Sequence, residues 1–118
     1  MTNIVDRLLA ACPGCKPEYF ERSTWFSDVR DIGPAIEEYT RHFERRLEEM
    51  RAFLGPPTQT DSTHRGELRT WYPEAIHAAC WNIDGKTLCL VIEQHDKESP
   101  VAVLLRCLSS DEISELSG

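Results

Sequence analysis

The dipeptide Asp84-Gly85 constrains the fold more than any other feature of this sequence. A two-residue type I′ turn needs positive φ at both central positions, and Asp-Gly adopts that turn readily. The turn fixes a register in which Trp81 lies opposite Leu88 and Cys80 lies opposite Cys89. The sequence therefore predicts an antiparallel hairpin over residues 78–93.

The same register assigns the two faces of the hairpin, because successive side chains of a strand point to opposite faces. The face that we expect to join the core carries Ala79, Trp81, Ile83, Leu88, Leu90 and Ile92. The other face carries Ala78, Cys80, Asn82, Thr87, Cys89, Val91 and Glu93. A third strand is predicted from Pro100 onward, with Val101, Val103, Leu105 and Cys107 in the core row and Ala102, Leu104, Arg106 and Leu108 in the other.

The second face of this three-stranded meander is too apolar to face water. Val91, Leu104 and Leu108 lie there, and we expect the N-terminal helix, a second subunit or a binding partner to cover them. Trp71 and Tyr72 lie between a polar loop and a proline, which makes them further interface candidates.

Two helices are predicted upstream of the sheet. Residues 34–54 carry an apolar stripe at spacings of three and four, and Gly55-Pro56-Pro57 ends the helix. The stripe consists of Ile36, Tyr39, Phe43, Leu47, Met50 and Leu54. A shorter helix is predicted over residues 3–11. Between the two, a group of aromatic residues is expected on a short helix and a turn, packed beside the core: Tyr19, Phe20, Trp25 and Phe26.

These elements predict one two-layer α+β domain over residues 1–118. A three- to four-stranded antiparallel meander packs on the long amphipathic helix, with the short N-terminal helix alongside. The predicted parts are a helical part at 1–55, a mobile loop at 56–66, a sheet at 67–108 and a short C-terminal helix or tail at 109–118. Residues 67–72 supply the optional fourth strand, and Ser110 is the expected cap of the final helix.

Composition narrows the class of partner. The formal net charge is -7 over 118 residues, which argues against nucleic-acid backbones and anionic membranes and permits a basic protein partner. We expect no signal peptide, and the apolar runs are too short to span a bilayer. An odd number of cysteines, five, favours a reducing cytoplasm over a disulfide scaffold.

The cysteines offer one alternative chemistry. Cys12 and Cys15 form a CxxC turn, and a structural zinc would need two further ligands, for which Cys80 and Cys89 are the candidates. A redox role for Cys12 and Cys15 is the second alternative, although a helix C-terminus disfavours the thiolate. The simplest interpretation is that the cysteines are small buried apolar residues.

No catalytic constellation is recognised in the sequence, so we expect no catalytic residue and no cofactor. The acid–base groups around the turn that follows the hairpin are typical of a solvated turn: Glu93, His95, Asp96 and Glu98. The sequence thus favours a small acidic protein-binding module of bacterial cytoplasm, an adaptor or an immunity-type inhibitor of a basic partner, or a homodimer through the second sheet face. A zinc-stabilised or thiol-redox protein is the alternative, and a small-molecule enzyme the third.

Overall fold

The computed structural model describes residues 2–62, 74–96 and 98–117 and confirms the α+β class. Five strands form one antiparallel sheet in the order β1-β5-β4-β3-β2. The strands are β1 (Glu18–Arg22), β2 (Gln59–Ser62), β3 (Ala75–Ile83), β4 (Lys86–Glu93) and β5 (Ala102–Ser109). The helices are α1 (Thr2–Ala11), α2 (Ile32–Leu54) and α3 (Ser110–Ser117), with a 3-10 turn at Val29–Asp31.

The predicted hairpin is confirmed residue by residue. Asp84 has φ 51° and Gly85 has φ 76°, the conformation that the type I′ turn requires. Trp81 pairs with Leu88 and Cys80 with Cys89, as the turn chemistry demands. The local sequence of two residues therefore sets the register between β3 and β4.

Helices α1 and α2 both pack on the predicted core face. Val5 and Leu8 of α1, and Phe43 and Met50 of α2, belong to one buried cluster with the sheet. Its sheet members are Ala79, Trp81, Leu88, Leu90, Ile92, Val101, Val103, Leu105 and Cys107. The burial of apolar area against both helices is the main source of stability.

Helix α2 begins two residues before the predicted start and ends at the predicted place. Pro34 lies in the first turn, where a missing N–H leaves no hydrogen bond unmade. Gly55, with φ 83°, donates its N–H to the Arg51 carbonyl at 3.0 Å and so ends the helix. The indole N–H of the buried Trp81 donates to the Gly55 carbonyl at 3.0 Å, which fixes this helix end to the sheet.

Strand β1 corrects the interpretation of the segment that follows α1, which was expected to form a short helix and a turn. Tyr19 pairs with Leu104 and Glu21 with Val103, so the pairing contains a bulge at Phe20. The bulge inserts one extra residue and breaks the alternation by which a strand is recognised. The segment therefore looked irregular although it is the edge strand beside β5.

Strand β2 lies inside the segment predicted as a mobile loop. Its sequence, Gln-Thr-Asp-Ser, contains no apolar side chain, so hydrophobic patterning gave no signal. It pairs with β3 through the backbone, with Gln59 opposite Cys80 and Thr60 opposite Ala79. The fourth strand predicted at residues 67–72 lies outside the described residues.

The second sheet face forms a separate buried cluster. Its members are Ala78, Cys80, Cys89, Val91, Ala102 and Leu104. The N-terminal helix does not cover them, because the apolar side chains of α1 pack on the first face. The expectation that this helix covers the second face was therefore wrong. Alternate side chains of the same strands point to opposite faces, so a helix packed on one face does not contact the other.

Helix α3 begins with a capping box one residue earlier than expected. The Ser109 hydroxyl accepts the Glu112 N–H at 3.2 Å, and the Glu112 carboxylate accepts the Ser109 N–H at 2.9 Å. This reciprocal pair satisfies two backbone donors of the first turn. Ser109, and not Ser110, is therefore the cap.

Of the helices within the described residues, none combines the length and the apolar character needed to cross a membrane.

Candidate protein-binding surface

The segment between β1 and α2 is hydrogen-bonded, on both sides of Trp25, to the residues that precede β5. The Ser23 N–H donates to the Val101 carbonyl at 2.9 Å, and the Val101 N–H donates to the Ser23 hydroxyl at 2.9 Å. Beyond Trp25, the Phe26 N–H donates to the Glu98 carbonyl at 3.0 Å. The backbone that carries Trp25 is thus held in place by hydrogen bonds to the residues that lead into β5.

The side chain of Trp25 nevertheless projects into solvent. It is 70% exposed, and Val29 and Tyr19 are 73% and 46% exposed. Tryptophan is highly buried on average, so an exposed one on a fixed backbone is unusual. Apolar and aromatic side chains in this state are typical of contact surfaces. We call Tyr19, Trp25 and Val29 together the Trp25 surface.

An ion pair orders the turn between Phe26 and α2. The Asp28 carboxylate accepts the Arg30 backbone N–H at 2.9 Å and a guanidinium N–H at 2.8 Å. These hydrogen bonds from Arg30 lower the pKa of Asp28. Because both groups are partly or largely exposed to water, the pair contributes little to global stability.

A groove of about 590 Å³ separates Trp25 from helix α2. One wall is the loop at residues 22–27. The other is formed by the N-cap residue Asp31 and by one face of α2, whose lining residues are Pro34, Ala35, Glu38 and Tyr39. We call this the helix groove, and it runs along the first two turns of α2.

A second groove, of about 450 Å³, lies on the other side of Trp25 against the sheet edge. Its lining residues are Tyr19, Arg22, Ser23, Trp25, Glu93, His95, Ser99, Pro100 and Ala102. The Arg22 guanidinium stacks 5.1 Å from the centre of the Tyr19 ring. We call this the strand groove, so that Trp25 is the ridge between two grooves.

Carboxylates dominate the charged lining of the helix groove. Asp31 and Glu38 face it, and Arg22 is its one basic residue within the described part of the chain. No ion pair of the described residues includes Asp31 or Glu38. Arg22 is drawn toward Tyr19 and the strand groove. The helix groove therefore has unneutralised negative charge beside an exposed indole.

The acid–base groups at the turn after β4 form hydrogen bonds that stabilise the turn. His95 Nδ1 lies 2.9 Å from the Glu74 carboxylate. The Asp96 carboxylate accepts the N–H groups of Glu98 and Ser99 at 2.9 and 3.0 Å, which lowers the pKa of Asp96. These contacts close the turn that presents the Glu98 carbonyl to Phe26.

The four cysteines considered for zinc do not meet. Cys80 and Cys89 lie in the second-face cluster with Sγ atoms 2.8 Å apart, whereas Cys12 packs with the first face. Among the described residues, no group of three or more His, Cys, Asp or Glu side chains is arranged to hold a metal ion. The proposed four-cysteine site is therefore wrong in its geometry.

Cys12 and Cys15 instead lie near Cys107. The Cys15 thiol donates to the Cys107 carbonyl at 3.2 Å, and the Cys12 thiol lies 3.7 Å from the Glu112 carboxylate. Burial raises the pKa of Cys12 and raises the pKa of Cys107 to about 12. The thiols of Cys12 and Cys107 are therefore protonated and poorly nucleophilic at neutral pH.

The predicted interface residues on the second sheet face are buried within this chain. Val91 and Leu104 have 0% exposure and Leu108 has 5%, so their side chains form no open surface for a partner. Trp71 and Tyr72 lie outside the described residues, and their role stays a prediction. The sequence analysis placed Trp25 beside the core, whereas its ring is 70% exposed. The available signal was the run Ser-Thr-Trp-Phe-Ser, which lacks the periodicity that would bury both rings.

No known family model, curated protein or solved structure matches this chain.

Proposed function

We propose that this chain is a non-enzymatic protein-binding module that contacts its partner through the Trp25 surface. The observation that carries the proposal is the 70% exposure of Trp25 on a backbone fixed at both sides by hydrogen bonds to the segment that leads into β5. A rigid aromatic side chain loses little conformational entropy on binding, which is why tryptophan dominates the energetics of many interfaces.

The two grooves support the same proposal. Each side of the Trp25 ridge offers a concave, partly apolar surface that receives a partner side chain. The partner we propose is a basic protein, because the chain carries a net charge of -7 and acidic groups attract such a partner from a distance. An adaptor or an inhibitor of the immunity type has these properties.

The test compares three forms of the full chain as bait in extract of the source cells. Wild type is compared with Trp25→Ala and with Phe53→Ala, which removes another exposed ring, 40% accessible, from the far end of α2. We expect a protein that wild type and Phe53→Ala retain and Trp25→Ala loses. The purified protein should then bind Trp25→Ala about 30-fold more weakly than wild type in calorimetry.

The melting temperatures of all three forms should lie within about 8 °C of one another, since neither ring is in the core. Retention of nothing by wild type, or equal retention by wild type and Trp25→Ala, contradicts the proposal.

A further inference from the structure

The helix groove has two kinds of group that favour a cation. Two carboxylates line the groove, Asp31 at the N-cap of α2 and Glu38 within α2, together with the rings of Trp25, Phe26 and Tyr39. Carboxylates attract arginine and lysine through charge, and the face of an indole attracts the same groups through cation–π interaction. An anionic or purely apolar segment would leave the carboxylates desolvated without a partner.

The carboxylates are also not needed to hold the fold. Asp31 is at the N-terminal cap position of α2, yet its side chain makes no cap hydrogen bond. Glu38 is exposed and takes part in no ion pair of the described residues. Glu48, by contrast, lies 3.7 Å from Arg51 on the same helix. The negative charge of the helix groove is therefore available to an external cation.

The spacing of the carboxylates indicates how the partner segment is built. Asp31 and Glu38 are seven residues apart, which along a helix is about 10 Å. In an extended polyproline II segment, side chains three residues apart point the same way and are separated by about 9 Å. The flexibility of a long arginine or lysine side chain accommodates the difference of about 1 Å between these two spacings.

We infer that the helix groove binds an extended basic segment of a partner protein, with one arginine or lysine against Asp31, a second against Glu38, and the chain between them packed on Trp25. The inference rests on the proposed function and adds to it the chemistry of the partner.

The probe is the synthetic peptide acetyl-PPRPPRPP-amide, titrated into the ¹⁵N-labelled chain while the indole N–H signals are followed by NMR. The Trp25 indole signal, assigned with Trp25→Phe, should shift in a saturable way. The Trp81 indole should not move, because it is buried and donates to the Gly55 carbonyl. A peptide with glutamine in place of both arginines is the matched ligand control and should give no saturable shift.

The variant that tests the inference is Asp31→Asn/Glu38→Gln. It should weaken binding of the arginine peptide about tenfold at low salt and remove most of the salt dependence. Glu44→Gln/Glu48→Gln removes the same charge from α2 outside the groove and should leave the affinity within about twofold.

Equal binding of the glutamine peptide, equal binding by Asp31→Asn/Glu38→Gln and wild type, or no saturable shift of the Trp25 indole overturns the inference. The proposed function fails separately: it is lost if Trp25→Ala still retains every protein that wild type retains. If the arginine peptide does not bind but a partner is still retained through Trp25, the basic character of the partner segment is wrong and the proposed function stands.

Discussion

Met50 and Phe53 are three positions apart on α2 and have opposite roles. Met50 has 0% exposure and packs in the core, whereas Phe53 is 40% exposed. The helical period turns the first side chain toward the sheet and leaves the second at the edge of the stripe. The contribution of each side chain to stability therefore depends on its burial, not only on its size and apolar character.

Replacing Met50 with alanine should lower the free energy of unfolding by about 2–5 kcal/mol, because it removes buried apolar atoms and leaves a cavity. Phe53→Ala should cost less than about 1 kcal/mol. Urea unfolding followed by circular dichroism measures both. Equal costs for the two variants would show that α2 does not pack on the sheet through the stripe described.

The strands show which elements a sequence reveals. The β3–β4 pairing from Ala78 to Val91 was predictable because Asp84-Gly85 sets its register, whereas the irregularity between Ala75 and His77 was not predicted. Strand β1 was not, because its bulge breaks the alternation and its partner strand is distant in sequence. Trp25 was placed beside the core for a related reason: the hydrogen bonds that hold its neighbours Ser23 and Phe26 run to Val101 and Glu98, which are distant in sequence.

Two glycines in different backbone conformations should respond to alanine with opposite changes in stability. Gly85→Ala should destabilise the chain by about 1–2 kcal/mol, because a Cβ is strained at φ 76°. Gly33→Ala, on the helical backbone of α2 and with no atom within 4 Å of the added Cβ, should stabilise it by up to about 1 kcal/mol. Chemical denaturation of the two variants checks the pair, and a loss of stability at Gly33 would contradict the helical assignment there.

At the scale of the whole molecule, the first and last described segments are joined. The Glu112 carboxylate of α3 accepts the Gly14 N–H at 3.4 Å and lies beside Cys12, both in the turn after α1. It also closes the capping box with Ser109. One carboxylate thus links the start of α3 to the turn that follows α1.

This link predicts a pH dependence of stability. Hydrogen bonds, first of all from Ser109, lower the folded-state pKa of Glu112 below its ordinary value of 4.5. The stability it contributes is therefore present above pH 4.5 and is lost as the pH falls through the lowered folded-state pKa.

Glu112→Gln should accordingly be less stable than wild type at pH 7, and the difference should shrink as the pH falls below 4.5. Glu115→Gln, which changes an exposed residue of the same helix, is the control and should show no such convergence. Urea titrations over the pH range measure the difference. A constant gap between wild type and Glu112→Gln would mean that the ionised carboxylate is not what joins the two segments.

The hydrogen bonds on either side of Trp25 also impose a timing on recognition. Glu98 and Val101 follow Trp25 by more than half of the chain. A nascent polypeptide on the ribosome has made the tryptophan long before the residues that hold it in position have been translated. A partner that requires the positioned indole would therefore ignore the growing polypeptide and engage only the finished molecule.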